Sequence, residues 1–242
     1  MRLSRKKGIL LGKTRFQESS LIMRALLENG SIVSLMFKGA LRSKTRVSAH
    51  LLPFALLEFV YYEKPGRAIH TASEVAVIED FSANFADYES QAECSRFLKR
   101  AASILQPEQA IPEIFDIVLA LLRAWAKLSG ISQNLIRAGF LLKIMTFAGF
   151  APAIAHCASC EGRLPANRRL HFSPSQGGFI CDACSSAADA TLCAQDLPAT
   201  MEFMLGNSFA AFEKIKISQK NEKEIIELLE KFWAYHIGDR TE

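Results

Sequence analysis

No stretch of this 242-residue chain approaches the roughly 18 uninterrupted apolar residues of a membrane-spanning helix. Its terminus is basic, but the apolar run that follows, Gly8 to Gly12, is far too short for the core of a signal peptide. The expectation is a cytoplasmic protein, and one associated with the nucleoid if the charge argument below holds. Internal repeats and low-complexity tracts are also missing, and the chain is 50% hydrophobic, so ordinary folded domains are expected rather than disorder. Catalytic signatures are lacking too. There is no His-Glu-x-x-His and no Gly-x-Ser-x-Gly. Gly12-Lys13-Thr14 ends like a phosphate-binding loop, but only Ile9, Leu10 and Leu11 separate Gly8 from Gly12, and Lys7 stands where the first glycine belongs. Such a loop is one residue short and too bulky to wrap phosphate with backbone N–H groups, so a first β-strand with a basic entrance is expected instead.

Acidic residues are scarce in one region. Residues 1–46 hold Arg2, Arg5, Lys6, Lys7, Lys13, Arg15, Arg24, Lys38, Arg42, Lys44 and Arg46 against only Glu18 and Glu28. That segment carries +9 within a chain of net charge +4, which leaves −5 for the remainder. A basic module on a mildly acidic body suits a polyanion binder, nucleic acid before membrane surface.

Residues 8–80 read as about five strands. Two join through Asn29-Gly30, a hairpin signal, and two near Pro65-Gly66, which suits a small closed barrel of the OB type. Between the third and fourth strands lies "KGALRSKTRVSAH", a basic loop on the barrel rim. From Phe81 the periodicity turns helical. Cys94, Phe97, Leu98, Ala101 and Leu105 form one stripe that Pro107 ends, a second helix covers Pro112 to Leu128, and a third runs from about Gln133 to Ala148. The third is apolar around most of its circumference and is expected at the centre of a helical bundle. Helical patterning resumes from Leu197 to Tyr235, with Asn221 as a candidate cap.

Two Cys-x-x-Cys knuckles, Cys157/Cys160 and Cys181/Cys184, flank residues 161–180. Each offers two thiolates, and a loop of that length lets the pairs converge on one tetrahedral zinc ion, a closed and therefore structural site. Cys193, His156 and His171 are the substitutes if one ligand is misassigned; Cys94 is core. The resulting fold class is multidomain α+β: a barrel over 1–80, a helical domain over 81–150 and 194–242, and an inserted zinc module over 151–193.

The chain resembles the bacterial RecO family. The resemblance is carried in order by "FKGALRSKTR", "LLPFALLEFVYYE", "FLLKIMTFAGFAP" leading into "CASC", "FSPSQGGFICDAC" and "WAYHIGDR", with Leu141 where an acidic residue is usual. It implies an OB-fold domain, a helical domain and a zinc module without catalytic chemistry. It also implies binding of single- and double-stranded DNA, strand annealing, and work with RecR to load RecA onto DNA coated by single-stranded-DNA-binding protein. On an OB-like face the phosphate-contact candidates are Arg5, Lys6, Lys13, Arg15, Lys38, Arg42, Lys44 and Arg46. Phe16 and Phe37 are candidate stacking platforms, unless strand alternation turns them into the barrel. Arg96, Lys99, Arg137 and Lys143 are candidates for a groove taking the acidic tail of single-stranded-DNA-binding protein. The competing readings are a zinc-ribbon transcription or RNA-binding factor and, more remotely, a zinc enzyme.

Overall fold

A computed structural model describes residues 2–41, 51–106, 108–164 and 169–238. The fold is mixed α and β and divides into two compact units, Met1–Trp125 and Ala126–Glu242. Among the described residues no helix is long and apolar enough to cross a membrane.

The first unit opens with five strands: β1 (Arg2–Phe16), β2 (Ser20–Leu27), β3 (Ile32–Phe37), β4 (Ala55–Glu63) and β5 (Ile69–Asp80). They close into a barrel in the order β1-β2-β3-β5-β4, antiparallel throughout except for the parallel pair β3–β5. Closure depends on β1 serving two partners. Its first half pairs with β4, from Arg2↔Glu63 to Ile9↔Leu56, and its second half with β2, from Gly8↔Leu27 to Phe16↔Ser20. Both partners flank Gly8, where a Cβ would lie 3.0 Å from both the Leu26 carbonyl oxygen and the Phe59 ring. The register slips between Leu10 and Gly12, a bulge of the kind that bends a strand from one sheet to the next. The basic entrance Arg2–Lys7 is therefore strand, not a lead-in to one that begins at Gly8, because β4 supplies it with a ladder.

Both expected turns are present. Gly30 takes φ +79° and donates its N–H to the Leu27 carbonyl at 2.8 Å, while Gly66 takes φ +69° between β4 and β5. Strict alternation sends Leu21, Met23, Leu35, Phe37, Leu57 and Phe59 into the barrel. Phe59 is completely buried, which stabilises the unit by about 2–3 kcal/mol. Phe37, at 2% exposure, belongs to this core and offers no surface for stacking. Ala40 and Leu51 also belong to it, so both ends of the basic segment are anchored there; residues 42–50 lie outside the described residues.

Two helices complete the unit, α1 (Tyr88–Ile104) and α2 (Pro112–Ala124). Asp87 caps α1 by accepting the Ser90 N–H at 2.8 Å, and the buried stripe contains Cys94, Phe97, Leu98, Ala101 and Ile104. The helix already stops at Ile104, with Leu105 extended. α2 starts on Pro112 as expected but ends at Ala124, passing into a 3-10 turn over Trp125–Lys127 instead of reaching Leu128. Its start abuts the β2–β3 turn: a Cβ on Gly30 would lie 2.0 Å from the Ile111 carbonyl carbon.

The second unit contains α3 (Gln133–Phe147), α4 (Leu197–Gly206), α5 (Gln219–His236) and a small antiparallel sheet. The sheet consists of β6 (Leu170–Ser173), β7 (Gly178–Cys181) and β8 (Thr191–Cys193), in the order β7-β6-β8. Nine of the fifteen residues of α3 are buried, Leu141 among them, as a central helix requires. Gly139 lets the Phe212 ring lie against α3, since a Cβ there would meet Cε2 at 2.2 Å. Asn221 is not the cap of α5. Ser218 is, accepting the Asn221 N–H at 3.1 Å, and the Asn221 amide instead donates to the Asp196 carboxylate at 2.9 Å. Serine placed three residues earlier offers the same cap chemistry, and the bond to Asp196 comes from across the unit.

Candidate metal centre and nucleic-acid interface

The two knuckles converge as their spacing demands. Cys157 and Cys160 sit on a tight loop in which the Cys157 N–H donates to the Gly162 carbonyl at 2.8 Å, the Glu161 N–H donates to the Cys157 carbonyl at 2.9 Å, and Glu161 is left-handed at φ +59°. Cys181 ends β7 and Cys184 ends the 3-10 turn that follows. The loops are stitched together by the Ala158 N–H donating to the Phe179 carbonyl at 2.8 Å and by the Cys181 N–H reaching the Cys157 sulfur at 3.4 Å. Ahead of them, a parallel bridge joins Ala153 to Gly178, where a Cβ would stand 2.5 Å from the Ala153 backbone. All four sulfurs lie within 4.8 Å of one another, with Cys160 and Cys181 Sγ 3.9 Å apart.

The electrostatics fit a cation. Burial opposes a thiolate at Cys157, but N–H groups of Cys160, Cys181 and Ser159 outweigh it and bring the thiol down to about 6. At Cys184 a hydrogen bond from Ser159 favours the thiolate, yet the three neighbouring sulfurs push its pKa up to about 12. One negative sulfur forms readily and the next is opposed by the first. A metal ion at the centre removes that opposition, and four soft donors at tetrahedral spacing are compatible with zinc. The N–H groups that favour the Cys157 thiolate have no signature in the side-chain sequence and could not have been read from it.

None of the substitutes belongs to the cluster. Cys193 is buried in β8, its thiol bonds to the Thr191 carbonyl, and burial with Glu224 nearby pushes it up to about 12. His156 is exposed on a bridge to Arg163, and His171 Nδ1 stands 4.0 Å from Asp182. Cys94 is buried in α1, its thiol raised by burial.

The basic candidates do not form one face. Arg5 is exposed on the outer side of the barrel and paired with Glu58 at 2.7 Å. Lys6, half-buried, lies opposite Phe59 and so on the core-facing side. Lys13 and Arg15 lie opposite Met23 and Leu21, also core-facing, but beyond the point where β4 stops pairing with β1, and both are exposed. The Leu21↔Phe37 pair brings Lys38, also exposed, to that same end of the barrel, where Lys13 Nζ lies 3.5 Å from the Leu51 carbonyl. Arg42, Lys44 and Arg46 lie outside the described residues. Phe16 is 38% exposed.

The four groove candidates fall in different settings. Arg96 and Lys99 are exposed on α1, Arg96 paired with the buried carboxylate of Glu93. Arg137 and Lys143 are half-buried on α3, and Lys143 Nζ donates to the Leu205 carbonyl at 3.1 Å in the last turn of α4, where a cation suits the helix terminus. Burial lowers the Lys143 pKa.

Comparison with known proteins covers almost the whole chain. Residues 1–81 match the family model for the recombination protein O N terminal, and residues 86–242 match that for the recombination protein O C terminal. The DNA repair protein RecO of Rubrobacter xylanophilus is 30% identical over 188 residues, which is 78% of this chain and 74% of that protein.

Proposed function

The chain belongs to the RecO family of DNA repair and recombination proteins, and from that premise we propose that it is a non-enzymatic recombination mediator. It binds single- and double-stranded DNA, anneals complementary strands, and acts with RecR to load RecA onto DNA coated by single-stranded-DNA-binding protein, in the cytoplasm and at the nucleoid. The division of labour is a DNA-binding barrel over 1–80, a helical domain over 81–150 and 194–242, and a zinc module over 151–193. An OB-fold reading of the barrel is supported by five strands closed in the order β1-β2-β3-β5-β4 with a parallel β3–β5 pair. One structural zinc ion is held by Cys157, Cys160, Cys181 and Cys184, and the ion's chemistry there is that of a crosslink between two loops.

The observation that carries the DNA reading, beside the family match, is the gathering of exposed Lys13, Arg15 and Lys38 at one barrel end, next to the anchored ends of the segment bearing Arg42, Lys44 and Arg46. Cations so placed neutralise phosphates without reading bases. Lowering the repulsion between two backbones at once favours annealing with no nucleotide hydrolysis. Replacing Lys13, Arg15 and Lys38 together by Ala is expected to weaken binding to all DNA sequences alike. The slope of log K against log salt should fall by about 2 to 3 units, and annealing should drop with it. An unchanged affinity and salt slope in a folded variant refutes this assignment. Tighter binding to RNA than to DNA of the same sequence and salt would favour the RNA-binding factor instead.

A further inference from the structure

The barrel has a second surface that the basic end does not include. Cross-strand register places Thr14, Ile22, Met36, Thr71, Tyr62 and Leu3 in one continuous row, running β1-β2-β3-β5-β4 and back to β1. Partners in register share a face, and this is the outer one, because the alternate residues Met23, Leu35 and Tyr61 fill the core. A neighbouring row holds Gly12, Arg24, Ser34 and Ile69. Leu26, farther along the same outer side, is fully buried, so the open part of the face begins at Arg24.

The composition of this open area is unlike that of a solvated sheet. Tyr62 is 37% exposed, Ile69 37% and Leu3 58%, and Phe16, on the same side two residues beyond Thr14, adds a second aromatic ring. Neither row contains an acid. Arg24 is exposed near the middle and has no ion-pair partner among the described residues. The β4–β5 turn that leads from Tyr62 to Ile69 contributes Lys64 and an exposed Arg67. Rings to stack on, a free guanidinium between them and a cationic flanking turn match unpaired bases on a phosphate backbone. They do not match duplex DNA, whose bases are already stacked on one another. From β2 to β4 the face spans three strand spacings, about 15 Å, room for a few nucleotides.

We propose that this outer face, centred on Arg24 and Tyr62, takes the bases of one single strand, while the barrel end with Lys13 and Arg15 holds phosphates of either form of DNA. This inference rests on the DNA-binding reading above and adds to it a reason why one barrel can hold two strands at once: they occupy different surfaces.

Two measurements on the full chain test it. Tyr62→Trp places a fluorophore on the face, and saturation with an unlabelled oligothymidylate is expected to quench it through stacking, whereas a duplex of equal length leaves it nearly unchanged. In parallel, Arg24→Ala combined with Tyr62→Ala is expected to reduce oligothymidylate affinity on the order of tenfold or more. Its duplex affinity should stay within about twofold of the parent, while Lys13→Ala with Arg15→Ala lowers both. Both sites are on the surface, and far-ultraviolet circular dichroism identifies a variant that has lost its fold. If anisotropy shows oligothymidylate bound while the Tyr62→Trp emission does not move, the outer-face assignment falls and the DNA-binding reading stands. If no DNA of either form binds, both fall together. Equal losses for single strand and duplex in the Arg24/Tyr62 variant also overturn the assignment.

Discussion

The barrel and the four-cysteine module solve the same problem by opposite means. The barrel has strands of 15, 8, 6, 9 and 12 residues, ladders that close on themselves and a filled interior. The module has strands of 4, 4 and 3 residues, too short to bury much between them. Its apolar content is essentially Leu170, Phe172, Phe179 and Ile180, with Phe172 leaning edge-on against Phe232 of α5 at 6.0 Å. So small a core does not offset the conformational entropy of the loops around it, whereas a crosslink that gathers four side chains does. The sequence shows this division directly. Alternating hydrophobic runs specify the first structure and cysteine spacing the second.

The largest effect should come from severing the crosslink. Cys157→Ser or Cys184→Ser, or prolonged chelation, is expected to abolish about one bound zinc per chain and to remove amide-exchange protection across 153–193 while the barrel strands stay protected. Structural zinc binding contributes about 10–16 kcal/mol in small modules, more than such a module could hold in reserve. Full protection of the module after verified metal removal would erase the contrast.

Next come two glycines, one in each region, that the backbone itself crowds. Gly30→Ala would drive a methyl group into Ile111 and Pro112, and Gly178→Ala into Ala153. Both glycines also have positive φ, at +79° and +146°. Each substitution should cost more than about 3 kcal/mol. Gly30→Ala should shift the unfolding of the first unit and Gly178→Ala that of the second, followed by hydrogen exchange. A Gly30→Ala protein as stable as the parent would mean that the β2–β3 turn does not abut α2.

The smallest effect separates the regions by pH. Asp87 caps α1, and the Ser90 N–H holds its carboxyl below the ordinary 3.8. A depressed carboxyl stabilises the fold fully above its unfolded pKa and loses that contribution as pH falls through the folded value. The difference between parent and Asp87→Ala should therefore be present at neutral pH and vanish in acid. Ser218, which caps α5, has no ionisable group. Ser218→Ala should cost about 1 kcal/mol irrespective of pH, and thermal melts of the two variants at several pH values check both expectations.

What could be read in advance follows the same line. Asn29-Gly30, Gly66 and the two knuckles were legible because each is a local signal with one good geometry. The circumference of α3 was legible because an all-apolar helix has nowhere to be but inside. Arg5 looked like a free cation because Glu58, its partner, is remote in sequence, and only the β1–β4 ladder brings them together. Lys143 was likewise taken as surface charge until the end of α4 claimed it. Phe16 and Phe37 looked equivalent, yet register sends one outward and the other inward. The rows that align Arg24 with Tyr62 exist only once five strands have found their order.

The divided allegiance of β1 bears on how the chain reaches that order. Its second half can pair with β2 almost at once, but Arg2–Ile9 must wait until Ala55–Glu63 has been synthesised and has folded back. Throughout that interval Gly8, Ile9, Leu10 and Leu11 form an unpaired apolar edge, the kind of segment through which nascent chains stick to one another. Arg5, Lys6 and Lys7 stand immediately beside it, and repulsion between such clusters on neighbouring chains keeps the edges apart. In the finished barrel one of those charges is neutralised by Glu58 and another is half-buried. Their service as gatekeepers ends when the barrel closes.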